Sequence, residues 1–169
     1  IVAYGDHTRV VCFVHNLTLY PSLDTTMRIW KKPTALDALN AASAGNAVGH
    51  LGIEFSEVGD DFIRARMPVD ARTVQPYGIL HGGASVALAE TLGSVAGNLC
   101  VDTTKEMVVG LEINANHVRA MRGGRVTGTA RALHVGRSTQ LWEIRIENDE
   151  GKLVCVSRLT LAVVPLPKP

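Results

Sequence analysis

Glu90 is the residue whose type and setting most strongly suggest chemistry. It lies in the apolar run Ala87-Leu88-Ala89-Glu90-Thr91-Leu92, and no Lys or Arg follows or precedes it within one helical turn. Burial of an unpaired carboxylate is costly, so desolvation is expected to raise the pKa of Glu90 toward neutrality, where a general base works best. An equally open alternative is a carboxylate that satisfies a donor at a subunit interface.

Ser94 follows Glu90 by four residues, which places the two side chains on the same face of a helix. Its hydroxyl could hydrogen-bond the carboxylate or orient a water molecule. The alternative is a buried serine that bonds the backbone carbonyl four residues before it.

The segment His81-Gly82-Gly83 comes directly before the apolar run and predicts a helix start. Free backbone N–H groups lie there, at the positive end of the helix dipole, and glycine lets a ligand approach them closely. A carbonyl oxygen bound there would be polarised, as in an oxyanion hole, and Gln75 could supply or orient another donor. The alternatives are tight packing for the glycines and a helix-capping core histidine for His81.

Gly82 and Glu90 are eight residues apart in the sequence, which corresponds to about 12 Å along one helix. A small reacting centre cannot touch both groups of one chain. If both act on the same centre, Gly82 comes from one subunit and Glu90 from another. The spacing therefore predicts at least a dimer with a shared site.

The elements that must position these residues follow from periodicity. A helix that is apolar nearly all round, at 81–100, is expected to be buried, and the strands before and after it have a period of two. We also expect a helix at 35–44 capped by Thr34. This pattern predicts an α+β fold in which a curved antiparallel sheet wraps around a long central helix. The predicted strands are 53–57, 62–69, 107–117, 125–133, 140–147 and 153–163.

The first 26 residues differ from the rest of the chain and lie outside this pattern. We interpret them as an extension of upstream or artificial origin, with Met27 as the natural start and residues 27–169 as one domain. The alternative is an additional strand at 10–20 that pairs with an exposed sheet edge.

The overall composition indicates a globular protein without an extended charged surface. The 169 residues are 46% hydrophobic and 20% charged, with a net charge of +1 and 5% aromatic residues, which argues against nucleic-acid or membrane-surface partners. The three cysteines, Cys12, Cys100 and Cys155, form no C-x-x-C pair, which favours a reducing cytoplasm. No apolar run is long enough to span a membrane, and no His/Asp/Glu cluster has the spacing of a metal site.

The segment Gln75-Pro76-Tyr77-Gly78-Ile79-Leu80-His81-Gly82-Gly83-Ala84-Ser85-Val86-Ala87-Leu88-Ala89-Glu90-Thr91-Leu92-Gly93-Ser94 closely resembles the hotdog-fold thioesterases. Within that family it resembles the branch with 4-hydroxybenzoyl-CoA and 1,4-dihydroxy-2-naphthoyl-CoA thioesterases, and the resemblance extends from about residue 29 to residue 165. It implies a hotdog fold, hydrolysis of acyl-CoA or aryl-CoA, and a homotetramer built as a dimer of dimers. It implies no cofactor, because the CoA belongs to the substrate.

The resemblance also assigns roles to individual residues. Glu90 would be the nucleophile or the general base, Gly82 would polarise the thioester carbonyl with help from Gln75 and His81, and Ser94 would orient water. Two of the implied substrate contacts, Arg119 and Arg137, suit phosphate groups, although outside the family they would be ordinary solvated charges. The implied substrate and CoA contacts are Gly110, His117, Val118, Arg119, Ala120, His134, Val135, Gly136, Arg137, Ser138 and Thr139.

Two questions stay open at the level of sequence. A non-catalytic acyl-CoA binding protein on the same scaffold would keep the arginines without needing Glu90. Among substrates, the resemblance favours 1,4-dihydroxy-2-naphthoyl-CoA of menaquinone biosynthesis, but an apolar cleft between subunits suits other aromatic and medium-chain acyl groups as well.

Overall fold

A six-stranded antiparallel sheet curves around one long helix in the computed structural model, which describes residues 28–32 and 34–167. The strand order in the sheet is β1-β2-β4-β5-β6-β3, so β1 and β3 are its edges. The hotdog fold is thereby confirmed. The elements are α1 (Leu36–Ser43), α2 (Ala47–His50), β1 (Glu54–Val58), β2 (Phe62–Pro68), α3 (Gly82–Leu99), β3 (Glu106–His117), β4 (Arg125–Val135), β5 (Thr139–Asn148) and β6 (Leu153–Pro165).

The strands form because their side chains alternate between the helix and the outer surface. In β2, Ile63, Ala65 and Met67 are fully buried, and the intervening arginines point the other way. Gly128 of β4 pairs with Ala65, and a Cβ added to it would lie 2.5 Å from the Leu92 side chain of α3. The helix therefore packs directly on the inner face of the sheet.

Helix α3 buries one face and leaves the other partly open. Leu88, Ala89, Leu92 and Ala96 are fully buried against the sheet, whereas the residues on the other side of the helix, among them Glu90, are only half-buried. The prediction of a helix buried on every face is therefore wrong for the single chain. No segment in the described part of the chain fully covers the apolar residues of the open face.

The predicted cap of the first helix is also wrong. Ala35 occupies the N-cap position of α1 and makes no side-chain hydrogen bond there. Thr34 lies one residue too early, and its Oγ1 atom is enclosed without a hydrogen-bond partner among the described residues. Asn46 does act as a cap, because its side chain accepts a hydrogen bond from the Val48 N–H at 3.0 Å.

The strand ends shift by one or two residues from their predicted positions. The largest shifts are of two residues. Strand β4 continues to Val135 through a β-bulge between Ala132 and His134, and β6 continues to Pro165. The predicted N-terminal extension at 1–26, and the proposed extra strand within it, lie outside the described residues. Within the described chain, no helix is both long enough and apolar enough to cross a membrane.

The described chain is tied to the sheet from its first residues onward. The Trp30 ring stacks on Trp142 with a centroid distance of 6.2 Å and an interplanar angle of 6°. Its Nε1 donates a hydrogen bond to the Gly59 carbonyl at 2.6 Å. The segment around Trp30 is therefore an integral part of the domain.

Candidate active site

A cavity of about 360 Å³ lies at the N-terminal end of α3. It is bounded by the start of the helix, by the loop before it, and by the chain that leaves β3. Six of the residues predicted for the site converge here, although they come from segments more than 30 residues apart. These six are Gln75, Gly82, His117, Val118, Arg119 and Ala120, and the other lining residues are Ile79, Leu80, Ser85 and Val154.

The helix start presents one free backbone donor to this cavity. His81 is the N-cap, and its Nδ1 accepts a hydrogen bond from the Gly83 N–H at 2.8 Å. The N–H groups of Ala84 and Ser85 both donate to the His81 carbonyl. The Gly82 N–H has no acceptor among the described residues, so it remains free to polarise a carbonyl oxygen. His81 is thus a capping residue as one interpretation proposed, but it is exposed rather than part of the core.

His117 lies directly over Gly82. A Cβ added to Gly82 would be 2.9 Å from His117 Nε2, so a larger residue here would have to displace the imidazole ring slightly. Next to it, the Arg119 Nε donates a hydrogen bond to the Leu153 carbonyl at 3.2 Å. That bond fixes the arginine at the rim of the cavity while its side chain stays exposed.

Glu90 lies in a second cluster, further along the same helix. Its Oε1 accepts a hydrogen bond from the Ser94 hydroxyl at 3.4 Å, which is long for an O–H···O bond. A Cβ added to Gly110 of β3 would lie only 2.7 Å from the same Oε1. Gly110 sits at a β-bulge. In a single chain, Gly110 therefore leaves room for the Glu90 carboxylate. The sequence did not predict this contact between Gly110 and Glu90.

The two clusters remain separate within one chain. Gly82 and Glu90 both belong to α3, about 12 Å apart along its axis. Glu90 does not line the cavity at the helix start, and neither does Ser94. Within one chain, the Gly82 cavity and the Glu90 cluster are therefore two separate groups of candidate residues.

The hairpin between β4 and β5 does not join the cavity. The Gly136 N–H donates to the Thr139 carbonyl at 2.9 Å and closes the turn. Gln140, the next residue, lies opposite Leu161, which in turn lies opposite Gly110. The hairpin is therefore two strands away from Gly110, or about 10 Å, at the level of the Glu90 cluster. Its predicted contact residues, His134, Val135, Gly136, Arg137, Ser138 and Thr139, are mostly exposed.

The two described cysteines are poor candidates for a nucleophile. Burial raises the pKa of the Cys100 thiol to about 11. Burial also raises the pKa of the Cys155 thiol, although a hydrogen bond with Ser157 partly opposes the effect. Because the thiolate is the reactive form, both side chains are inert core residues.

Sequence reasoning missed four lining residues of the cavity. Ser85 was within reach, since it follows Gly82 by one helical turn. Ile79 and Leu80 lie in the loop that carries Gln75. Val154 comes from the start of β6, and only the strand pairing brings it under the helix.

Comparison with known proteins identifies the family. The family model described as "Thioesterase superfamily" matches residues 77–155. The 1,4-dihydroxy-2-naphthoyl-CoA hydrolase of Escherichia coli is 57% identical over 136 residues, which cover 80% of this chain and 99% of that protein. The chain belongs to the thioesterase superfamily. The proofreading thioesterase of Cronobacter turicensis is 55% identical to this thioesterase over 138 residues, covering 80% of this chain and 98% of that protein.

A solved structure agrees with this assignment. The crystal structure of a thioesterase from Haemophilus influenzae matches with a TM-score of 0.80 and 55% sequence identity, covering 83% of this chain and 97% of that one. Both the predicted family and the predicted enzyme class are confirmed. The relatives named here are enzymes, which favours catalysis over the non-catalytic alternative.

Proposed function

We propose that this thioesterase hydrolyses acyl-CoA and aryl-CoA to the free acid and CoA at sites shared between two subunits. The observation that carries the proposal is the separation on α3 between a free Gly82 N–H and the Glu90 carboxylate, about 12 Å along the axis. Within one chain, the cavity at Gly82 contains no Glu90 carboxylate, and the Glu90 carboxylate lies instead beside Gly110. One complete site would combine the Gly82 cavity of one subunit with Glu90 of another.

The exposed edge of the sheet supports a dimer. Strand β3 has 12 residues and lies at an edge, where unpaired backbone groups favour pairing with another chain. Leu111 on this strand is 61% exposed and Val118 just beyond it is 57% exposed. The half-buried face of α3 that carries Glu90 adjoins the same strand through Gly110. A second copy packed against this edge would cover both surfaces, and further pairing of dimers would give the expected tetramer.

In the proposed reaction, the thioester carbonyl oxygen accepts a hydrogen bond from the Gly82 N–H. Glu90 of the other subunit either attacks the carbonyl carbon, forming an anhydride and expelling the CoA thiolate, or removes a proton from a water molecule that attacks instead. In the first route, water then cleaves the anhydride and restores the carboxylate. Ser94, already hydrogen-bonded to Glu90 at 3.4 Å, would position that water.

The role of the Gly82 N–H can be tested with little change to the helix. Gly82 is the first residue of α3, and His81 before it is extended with φ −70° and ψ 132°. Proline is well tolerated after such a residue and at the first helical position. Gly82→Pro should therefore remove the donor, keep the helix and lower kcat by about 100-fold or more.

Gly82→Ala is the matched control for this experiment. Its Cβ meets His117 as that of proline would, but the N–H is retained. We expect Gly82→Ala to keep much more activity than Gly82→Pro. Equal kcat values for the two variants, with intact folds by circular dichroism, would show that the N–H is not the carbonyl-polarising group.

Subunit mixing tests the shared site directly. Glu90→Ala should lower hydrolysis at least about 100-fold, and Gly82→Pro should be similarly impaired. When the two variants are co-expressed, mixed dimers contain one site with both working groups, so activity should return to about a quarter of the wild-type rate. Co-expression of two differently tagged Glu90→Ala chains is the control. Failure of the mixed variants to recover would mean that each site lies within one chain.

For the acyl group, we propose 1,4-dihydroxy-2-naphthoyl-CoA as the preferred substrate and the cytoplasm as the compartment. The relative of that name is 57% identical, and both described cysteines are free. Measurement of kcat/KM across naphthoyl-, benzoyl- and aliphatic-CoA esters tests the preference. An aliphatic ester with the highest value would contradict it.

A further inference from the structure

Ser85 is a buried side chain in the candidate site to which the reaction outlined above assigns no role. It follows Gly82 by three residues, lines the same cavity and is 1% exposed. Along the helix axis it lies about 4.5 Å from Gly82 on nearly the same face. It is therefore close to any group whose carbonyl oxygen binds at the Gly82 N–H.

The Ser85 hydroxyl has no hydrogen-bond partner in the described part of the chain. A buried helical serine ordinarily donates to the carbonyl four residues before it, as Ser43 does to Leu39 at 2.9 Å. For Ser85 that carbonyl belongs to His81, and it already accepts two backbone N–H groups. Among the described residues, Thr34 has a side-chain oxygen that is both fully enclosed and without a partner. The Ser85 oxygen also lacks a partner but is not fully enclosed. Because Ser85 lines the cavity, we take its oxygen to be accessible from the cavity.

The walls of the cavity indicate which part of a substrate would reach this hydroxyl. Val118, Arg119 and Ala120 are exposed and form the rim, where the CoA portion would leave the protein. Leu80 and Val154 are buried on the inner side. A thioester with its carbonyl on Gly82 and its CoA at the rim would extend its acyl group inward, toward Ser85.

We propose that Ser85 is a specificity-determining residue that hydrogen-bonds a hydroxyl group on the acyl part of the substrate. The inference rests on the proposed function and adds to that site a residue that selects among acyl groups. A wholly apolar acyl group would cover the Ser85 hydroxyl and leave it unpaired, which buried polar groups tolerate poorly. Sites built to hydrogen-bond a substrate hydroxyl discriminate strongly against analogues that lack it.

The test compares two esters that differ only in their ring hydroxyls, 1,4-dihydroxy-2-naphthoyl-CoA and 2-naphthoyl-CoA. Ser85→Ala should lower kcat/KM for the hydroxylated ester about 10-fold and leave the plain ester nearly unchanged. Ser85→Cys fills the same space with a much weaker hydrogen-bond partner and should behave in the same way. Ser157→Ala is the matched control, because Ser157 is also 1% exposed but does not line this cavity.

A fall in the hydroxyl preference with both Ser85 variants and not with Ser157→Ala supports the inference. An equal loss of kcat/KM on both esters would show that Ser85 only packs the helix or contacts the common CoA portion. Unchanged kcat/KM values on both esters would show that Ser85 does not contact the substrate. Either result would overturn the role of Ser85 and leave the proposed function standing. A wild-type protein that hydrolyses neither ester would overturn the proposed function together with it.

Discussion

Substitution of Gly110 by alanine should disable Glu90 without unfolding the protein. The added Cβ would lie 2.7 Å from Glu90 Oε1, whereas ordinary contacts begin near 3.4 Å. The carboxylate must therefore retreat by about 0.7 Å. Because Oε1 is the end of a flexible side chain and Gly110 is exposed, the retreat costs little stability. A displacement approaching 1 Å in a catalytic group can still lower the rate by about 100-fold.

The assay is hydrolysis of a naphthoyl-CoA ester, followed through release of the free thiol. We expect Gly110→Ala to reduce kcat by about 10- to 100-fold with a much smaller change in KM and in the thermal midpoint. Gly123→Ala is the control, since a Cβ there meets nothing within 4 Å. If Gly110→Ala raised KM and left kcat unchanged, Gly110 would be a substrate contact, as the family resemblance implied, and would not act through Glu90.

Three further outcomes are expected. Because burial raises the pKa of Cys100 to about 11, the Cys100 and Cys155 peptides should remain unmodified by iodoacetamide at pH 8 in the native protein and react after denaturation; rapid native labelling would contradict the burial. Hydrogen bonds from Thr104 lower the pKa of Asp102 from 3.8 to about 2, so its stabilising effect is complete above about pH 4 and is lost as the pH falls toward 2. The difference in urea midpoint between wild type and Asp102→Asn should therefore shrink over that range, and a constant difference would argue against it. A chain that begins at Met27 should keep the wild-type kcat/KM, whereas loss of activity would show that the first 26 residues belong to the working domain.

Periodicity made most of the fold predictable. The long apolar segment predicted α3 to within one residue at each end, and the alternation in β2 predicted which side chains face the helix. Thr34 failed as a cap because the chain enters α1 one residue later. The sequence predicts the presence of a helix more reliably than the residue at which the helix begins.

The sequence alone could not predict that one face of α3, the half-buried face with Glu90, is left partly open by the rest of the chain. An apolar residue that faces a core and one that faces another subunit give the same pattern in the sequence. Full burial of Glu90 would require the whole helix to be covered, whereas the single chain covers it only on the side of the sheet. The contact between Gly110 and Glu90 was equally hidden, because it depends on a bulge in β3 that shifts the register.

The geometry of α3 links these observations. The two groups with roles in the proposed reaction, the Gly82 N–H and the Glu90 carboxylate, lie on one helix about 12 Å apart. A movement of the helix as a whole therefore cannot bring both to the same carbon atom. The half-buried face with Glu90 lies beside Gly110 on the unpaired edge strand, and Val118 on the rim of the Gly82 cavity directly follows that strand. Under the proposed function, coverage of this edge by a second copy would both bury the apolar face and complete the site, so activity would depend on assembly. A variant that weakened the β3 edge should accordingly lose activity as it dissociates, even with Glu90 and Gly82 intact.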